Sequence, residues 1–188
     1  MTTVDTKDPA ALQTTSPYLA DIYRQPDSLG TIARVFAEKE RAVLTSVREL
    51  FWRGEHRLIV FTGMGASLYA AQAVVPSLEK IGVRAVTADA SELLHYGIPS
   101  LAGKVAVVII SQSGESAEVR GLVKALKGRV DLMAVVRNQE SLLAAAADRV
   151  VAVPVAADDG IAVNTYTGTI AVLLLLSHVL AGGVVEQA

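Results

Sequence analysis

The stretch Val105-Ala106-Val107-Val108-Ile109-Ile110-Ser111-Gln112-Ser113-Gly114-Glu115-Ser116 decides how the rest of this chain is read. Its aliphatic first half, rich in β-branched side chains, reads as a strand buried on both faces, and a helical pattern begins directly after the quoted stretch at Ala117. Between the two lie three serines and a glycine. Backbone N–H groups, the positive end of the helix and hydroxyl donors converge in such a loop, which is the chemistry an anion such as phosphate requires.

Working outward, similar valine- and isoleucine-rich runs recur at 58–62, 85–88, 132–136 and 150–155. Helical patterns separate them at 67–81, 117–127 and 141–147, residues 91–96 have no assigned form, and a last helix is expected at 165–180. Strands alternating with crossover helices predict an α/β fold, a doubly wound five-stranded parallel sheet flanked by helices in a flavodoxin-like arrangement. A strand order of 2-1-3-4-5 puts the topological switch between the first and third strands, where ligands bind outside the carboxyl ends. The loop Gly63-Met64-Gly65-Ala66-Ser67 then faces the 111–116 loop across one crevice.

The 188 residues are 52% apolar and 19% charged with a net charge of -2, which suits a well-buried core and leaves no basic footprint for nucleic acid. No cysteine is present, so thiolate nucleophiles, disulfides and thiolate metal sites are excluded. Residues 1–16 read as a polar disordered tail without a signal core, and 17–26 as an arm without helical period. A long amphipathic helix follows, with Ser28 as candidate N-cap and Gly54 as its end. The apolar run 170–185 is too short and too interrupted for a membrane span and is expected to be a buried core or interface helix.

Gly63 and Gly65 invite a dinucleotide reading with Asp89 as the ribose acid, but Leu68 occupies the third glycine position of that fingerprint. A Walker A loop is excluded because no Gly-Lys-Ser/Thr occurs. Ser67, Ser111, Ser113 and Ser116 can donate to phosphate or sugar oxygens, and Gln112 offers a donor and an acceptor to a polyol. An isolated serine in such a place more often caps a helix; several serines at one crevice favour ligand contact.

The segments Gly65-Ala66-Ser67, Ala90-Ser91-Glu92, Ser111-Gln112-Ser113-Gly114-Glu115-Ser116 and Val163-Asn164-Thr165 resemble, in order and spacing, the sugar isomerase (SIS) domain. They are similar in particular to the first SIS half of the isomerase region of glutamine:fructose-6-phosphate amidotransferases. The arm Asp21-Ile22-Tyr23-Arg24-Gln25-Pro26 resembles the start of that region, so the likeness runs over about 17–182. It implies that Gly65, Ser67, Ser111, Gln112, Ser113, Ser116, Val163, Asn164 and Thr165 contact the substrate, a hexose phosphate or amino-sugar phosphate. One departure is Tyr166, where the family usually carries a lysine.

Aldose–ketose interconversion removes a proton alpha to a carbonyl and returns it to the neighbouring carbon, work suited to a carboxylate, with a histidine assisting ring opening. Glu92 and His95 are the catalytic candidates, being placed after the second strand and resembling the family's Glu-Leu-x-His segment. In the two-SIS enzymes the base with this pattern belongs to the second half. His56 and His178 read as structural, and Glu115, Asp158 and Asp159 as loop-structuring or helix-start carboxylates. No metal or cofactor is expected.

The chain carries one Ser-x-Ser-Gly-x-Ser unit and ends Val184-Val185-Glu186-Gln187-Ala188, without the family's terminal lysine. The expected organisation is a tail at 1–16, an arm and long helix at 17–54, the SIS sugar-phosphate-binding domain at 55–182 and a tail at 183–188. The expected function is that of a subunit of a sugar-phosphate isomerase, or of a related amino-sugar-phosphate isomerising or deaminating enzyme. A second SIS unit, as a homodimer or in a complex with another SIS chain, would complete it in the cytoplasm. The alternatives are a noncatalytic sugar-phosphate-binding regulatory subunit and, behind it, the dinucleotide-binding domain.

Overall fold

In a computed structural model of the protein, residues 16–38, 41–52, 58–101 and 104–183 are described. The aliphatic runs form β1 (Leu58–Gly63), β2 (Ala85–Asp89), β3 (Val105–Ser111), β4 (Asp131–Val136) and β5 (Arg149–Ala152). They pair in parallel in the order β2-β1-β3-β4-β5, the predicted doubly wound arrangement. Parallel strands need crossovers, and right-handed crossovers leaving the sheet in two directions from β1 and β3 cover both of its faces.

Strand alternation divides the core accordingly. Ile59, Phe61, Val108, Ile110, Met133 and Val135 face one side, where α1 (Pro17–Glu38), α2 (Arg41–Trp52), α3 (Ala66–Lys80) and α6 (Asn164–Leu180) pack. Val60, Val107, Ile109, Ala134 and Val136 face the other, under α4 (Ala117–Leu126) and α5 (Leu142–Ala146). Burying each of these side chains larger than alanine contributes about 1.5–3 kcal/mol before entropy is set against it. Thr62 is the polar exception in β1: it is fully buried and its hydroxyl has no hydrogen-bond partner. Thr62→Val keeps the shape and removes that cost, so it is expected to raise stability by about 1 kcal/mol in urea unfolding.

The first helix differs from its sequence reading. It begins at Pro17, so the arm is helical and Ser28 lies within a turn rather than capping one. Pro17 suits a first helical position, where a missing N–H costs nothing. Pro26 lies inside the helix and cannot donate to the Ile22 carbonyl; the Gln25 side-chain amide donates to that oxygen instead, at 3.0 Å. The expected end of the long helix, Gly54, lies outside the described residues.

Ile32, Phe36, Leu44 and Val47 of α1 and α2 are buried in the same cluster as Val172, Leu173, Leu176 and Leu180 of α6. The apolar helices at the two ends of the fold therefore cover one another within the chain, and their apolarity does not by itself require a second unit. Among the described residues no helix is long and apolar enough to cross a membrane.

Two further segments depart from the expected bounds. Residues 90–100 form successive α, π and 3-10 turns, Ala90–Glu92, Leu93–Gly97 and Ile98–Ser100, which carry no constant period. Asp89 starts them: its carboxylate accepts from the Ser91 N–H at 2.8 Å and the Glu92 N–H at 3.4 Å, so it serves as a helix cap. β5 ends at Ala152, because only one more N–H, that of Val153, reaches Val136 O before Pro154 leaves the ladder without a donor.

Candidate functional site

The crevice forms where β1 and β3, side by side in the sheet, send their following helices to opposite faces. Gly63 closes β1, and a Cβ there would stand 2.8 Å from Ser67 Cβ and 2.9 Å from the Ile110 carbonyl oxygen. Only glycine lets the two strand ends approach so closely. Gly65 follows with φ 51° and leads into α3, with Ser67 in its first turn.

The 111–116 loop is built from its own side chains. Ser111 Oγ accepts from the Gly114 N–H at 3.0 Å, Ser113 Oγ from the Glu115 N–H at 3.3 Å, and Ser116 Oγ from the Val119 N–H at 3.3 Å as the N-cap of α4. Glu115 ties the loop to its neighbours: its carboxylate accepts from the Leu142 N–H at the start of α5 and from Arg120, both at 2.5 Å. Backbone bonds add Asn138 N–H to Gln112 O at 3.2 Å and Leu143 N–H to Gly114 O at 3.2 Å. Each serine hydroxyl thus uses a lone pair inside the loop and keeps its proton for an outside acceptor. Capping and ligand contact are compatible roles here.

A cavity of about 180 Å³ opens beside this loop. Ser67, Ser111, Gln112 and Thr165 of the expected set line it, joined by Arg137 and Tyr166 over a floor of Val135 and Val153. Ser113 is exposed at the loop tip and Ser116 sits half-buried at the helix start, neither of them on the cavity wall. Val163 precedes α6 as its N-cap, its carbonyl accepting from the Thr167 N–H at 3.0 Å, while its neighbour Ala162 reaches the wall.

Asn164 is fully buried and directed elsewhere: its side-chain amide donates to Ala156 O at 3.1 Å, and its Oδ1 has no partner. Asp158 organises this turn by accepting from the Asn164 N–H at 2.6 Å, the Thr165 N–H at 3.0 Å and the Thr165 hydroxyl. From α1, buried Asp21 accepts from the Asp159 N–H and pairs with Arg24, each at 2.8 Å. Gln25 accepts from the Thr167 hydroxyl at 2.5 Å.

Glu92 and His95 are both exposed and lie outside the cavity wall, on the helical segment that follows β2. The His95 ring lies 6.2 Å from that of Tyr96, which is 81% exposed. His178 is exposed on α6, and His56 lies outside the described residues. Arg137 is the charged wall residue that sequence reasoning missed. It stands one position past the apolar run 132–136, and the alternation of Met133 and Val135 places it on their face of the sheet.

The SIS domain family model matches residues 54–179. Among characterised relatives, the glutamine–fructose-6-phosphate aminotransferase (isomerizing) of Methanocaldococcus jannaschii is 29% identical over 160 residues, covering 84% of this chain and 14% of that protein. Aminotransferases of the same name from two other organisms are likewise matched over only 26% and 27% of their lengths, so this chain spans a minor part of each relative. Among solved structures, the C-terminal domain of glucosamine-fructose-6-phosphate aminotransferase from Francisella tularensis superposes with a TM-score of 0.77 at 22% identity, over 89% of this chain and 48% of that one. Tagatose-6-phosphate ketose/aldose isomerase from Escherichia coli superposes with a TM-score of 0.73 at 21% identity, over 90% and 49%. These two likenesses concern the fold.

Proposed function

The chain belongs to the SIS domain family, and from that membership we propose that its crevice holds a phosphorylated sugar, a hexose phosphate or amino-sugar phosphate, as one half of an isomerising or deaminating assembly. The observation that carries this reading is the 111–116 loop. Its three serine hydroxyls are fixed through their lone pairs and keep their protons for phosphate oxygens, and Ser111 among them lines the cavity beside the loop. Ser67 and Gln112 serve the sugar hydroxyls. The loop glycines Gly65 and Gly114 shape the backbone that cradles the anion.

Isomerisation needs a base for the proton alpha to the carbonyl and an acid for ring opening. In this reading Glu92 and His95 supply them to the crevice of a second SIS unit, either another copy of this chain or a different SIS chain. Their exposure supports such a role, since both remain accessible to a unit docked at that rim. The assembly works in the cytoplasm, where phosphorylated sugars are made and used. A second reading, a sugar-phosphate sensor without catalysis, is favoured by a different observation: no carboxylate or imidazole lines the cavity among the described residues.

Light scattering of the purified chain, alone and mixed with a candidate SIS partner, followed by solvent-proton exchange at C1 and C2 of fructose 6-phosphate, separates the two. Exchange that disappears in Glu92→Gln supports the isomerase; binding without exchange in the assembled protein leaves the sensor. Ser113→Leu places a bulky apolar group at the exposed loop tip. It is expected to weaken fructose 6-phosphate binding at least about tenfold by calorimetry with an unchanged unfolding midpoint, and unaltered affinity removes the loop from the site.

A further inference from the structure

Arg137 stands out among the polar groups of the cavity. It follows β4, whose Val136 is in register with Ser111, and the Asn138 N–H bonded to Gln112 O fixes it beside the serine loop. Its Nε is buried and has no hydrogen-bond partner, and among the described residues it forms no ion pair. Two other arginines near this end of the fold are neutralised, Arg24 by Asp21 and Arg120 by Glu115. Among the described residues no carboxylate lines the cavity that Arg137 lines, so its charge is uncompensated by them. A partly buried guanidinium left unpaired costs stability, and its planar fork matches a phosphate or carboxylate bidentately.

We infer that Arg137 is the charged anchor of the crevice: it pairs with an oxyanion of the bound ligand and sets the preference for phosphorylated over neutral sugars. This rests on reading the crevice as a sugar-phosphate site. The serine hydroxyls are neutral donors that orient the anion, while Arg137 adds the one formal charge that the described residues bring to the cavity wall and so weights the site toward acidic ligands.

The test compares the whole wild-type chain with Arg137→Met and Arg137→Lys by calorimetry and thermal unfolding, using fructose 6-phosphate, inorganic phosphate and unphosphorylated fructose. Arg137→Met is expected to bind fructose 6-phosphate and phosphate about 10- to 100-fold more weakly and yet to melt at a higher temperature without ligand, because a partly buried, uncompensated charge is gone. Arg137→Lys keeps the charge, loses the fork and should fall between the two. A merely structural arginine predicts the reverse signature, a lower melting temperature for Arg137→Met, and that outcome overturns the inference. Equal affinity of wild type and both variants for fructose 6-phosphate also overturns it, while leaving the crevice a sugar-phosphate site. Arg137-dependent binding of inorganic phosphate without binding of fructose 6-phosphate upholds the anchor and removes the sugar reading. If Arg137→Met does not fold, the lysine variant decides: unchanged affinity for both phosphorylated probes overturns the anchor.

Discussion

Gly114→Ala is expected to lower the free energy of unfolding by about 3 kcal/mol and to abolish the proposed sugar-phosphate binding. Gly114 has φ 68°, a left-handed conformation that costs other residues about 1–2 kcal/mol. An added Cβ would meet Ser141 Oγ at 2.2 Å, Ser141 Cβ at 2.5 Å and Val136 Cγ2 at 3.2 Å. Ser141 cannot step aside cheaply. It is 1% exposed, and its hydroxyl caps α5 by accepting from the Ala144 N–H at 3.3 Å. Displacing it forfeits that cap, a further loss of about 1 kcal/mol, and moves the backbone that holds Leu142 against Glu115. The serine loop then loses its shape along with its anchor. Urea unfolding measures the first effect and calorimetry the second; a variant that binds normally refutes the claim that this turn organises the site.

Asp158→Ala should be nearly as severe, at about 2–3 kcal/mol, because it removes a charge-assisted acceptor from three donors at once. Two of these donors, the Asn164 and Thr165 N–H groups, belong to the first turn of α6, whose positive end favours a carboxylate. Thr165 and Tyr166 form one wall of the cavity, so a frayed first turn also weakens ligand binding. Asp158→Asn keeps an acceptor without the charge and is expected to recover roughly half of the loss. Unfolding midpoints of the three proteins test this order, and equal midpoints for alanine and wild type would show that the turn stands without Asp158.

The sheet was legible because its strands are nearly continuous aliphatic runs between turn residues, and a parallel order left few topologies to choose from. The serine loop was legible for the same reason, since its place after β3 follows from that order. The N-terminal helix was hidden by Pro26. Reading a helix through a proline requires knowing that a glutamine side chain will take over the lost bond, and nothing in the spacing says so. Residues 90–100 were hidden because π and 3-10 turns break the 3.6-residue repeat.

Arg137 carries no motif signal, since a charge after an apolar run ordinarily reads as solvent-facing. Extending the alternation of β4 by one residue would have turned it inward. Asn164 poses the opposite problem: its position beside Thr165 suggests the cavity, but the backbone turn around Asp158 spends its amide on Ala156.

The bond from Asp159 to Asp21 spans 138 positions, and that from Thr167 to Gln25 spans 142. Together they lash the turn that builds one cavity wall to the first helix of the fold. Contacts this distant along the chain require a large loop to close, at an entropic cost that grows slowly with its length. The cavity wall is therefore completed only when the two ends of the fold have met. A ligand of the proposed site would hold that closure shut by mass action, so its binding would stabilise the whole fold and not the crevice alone.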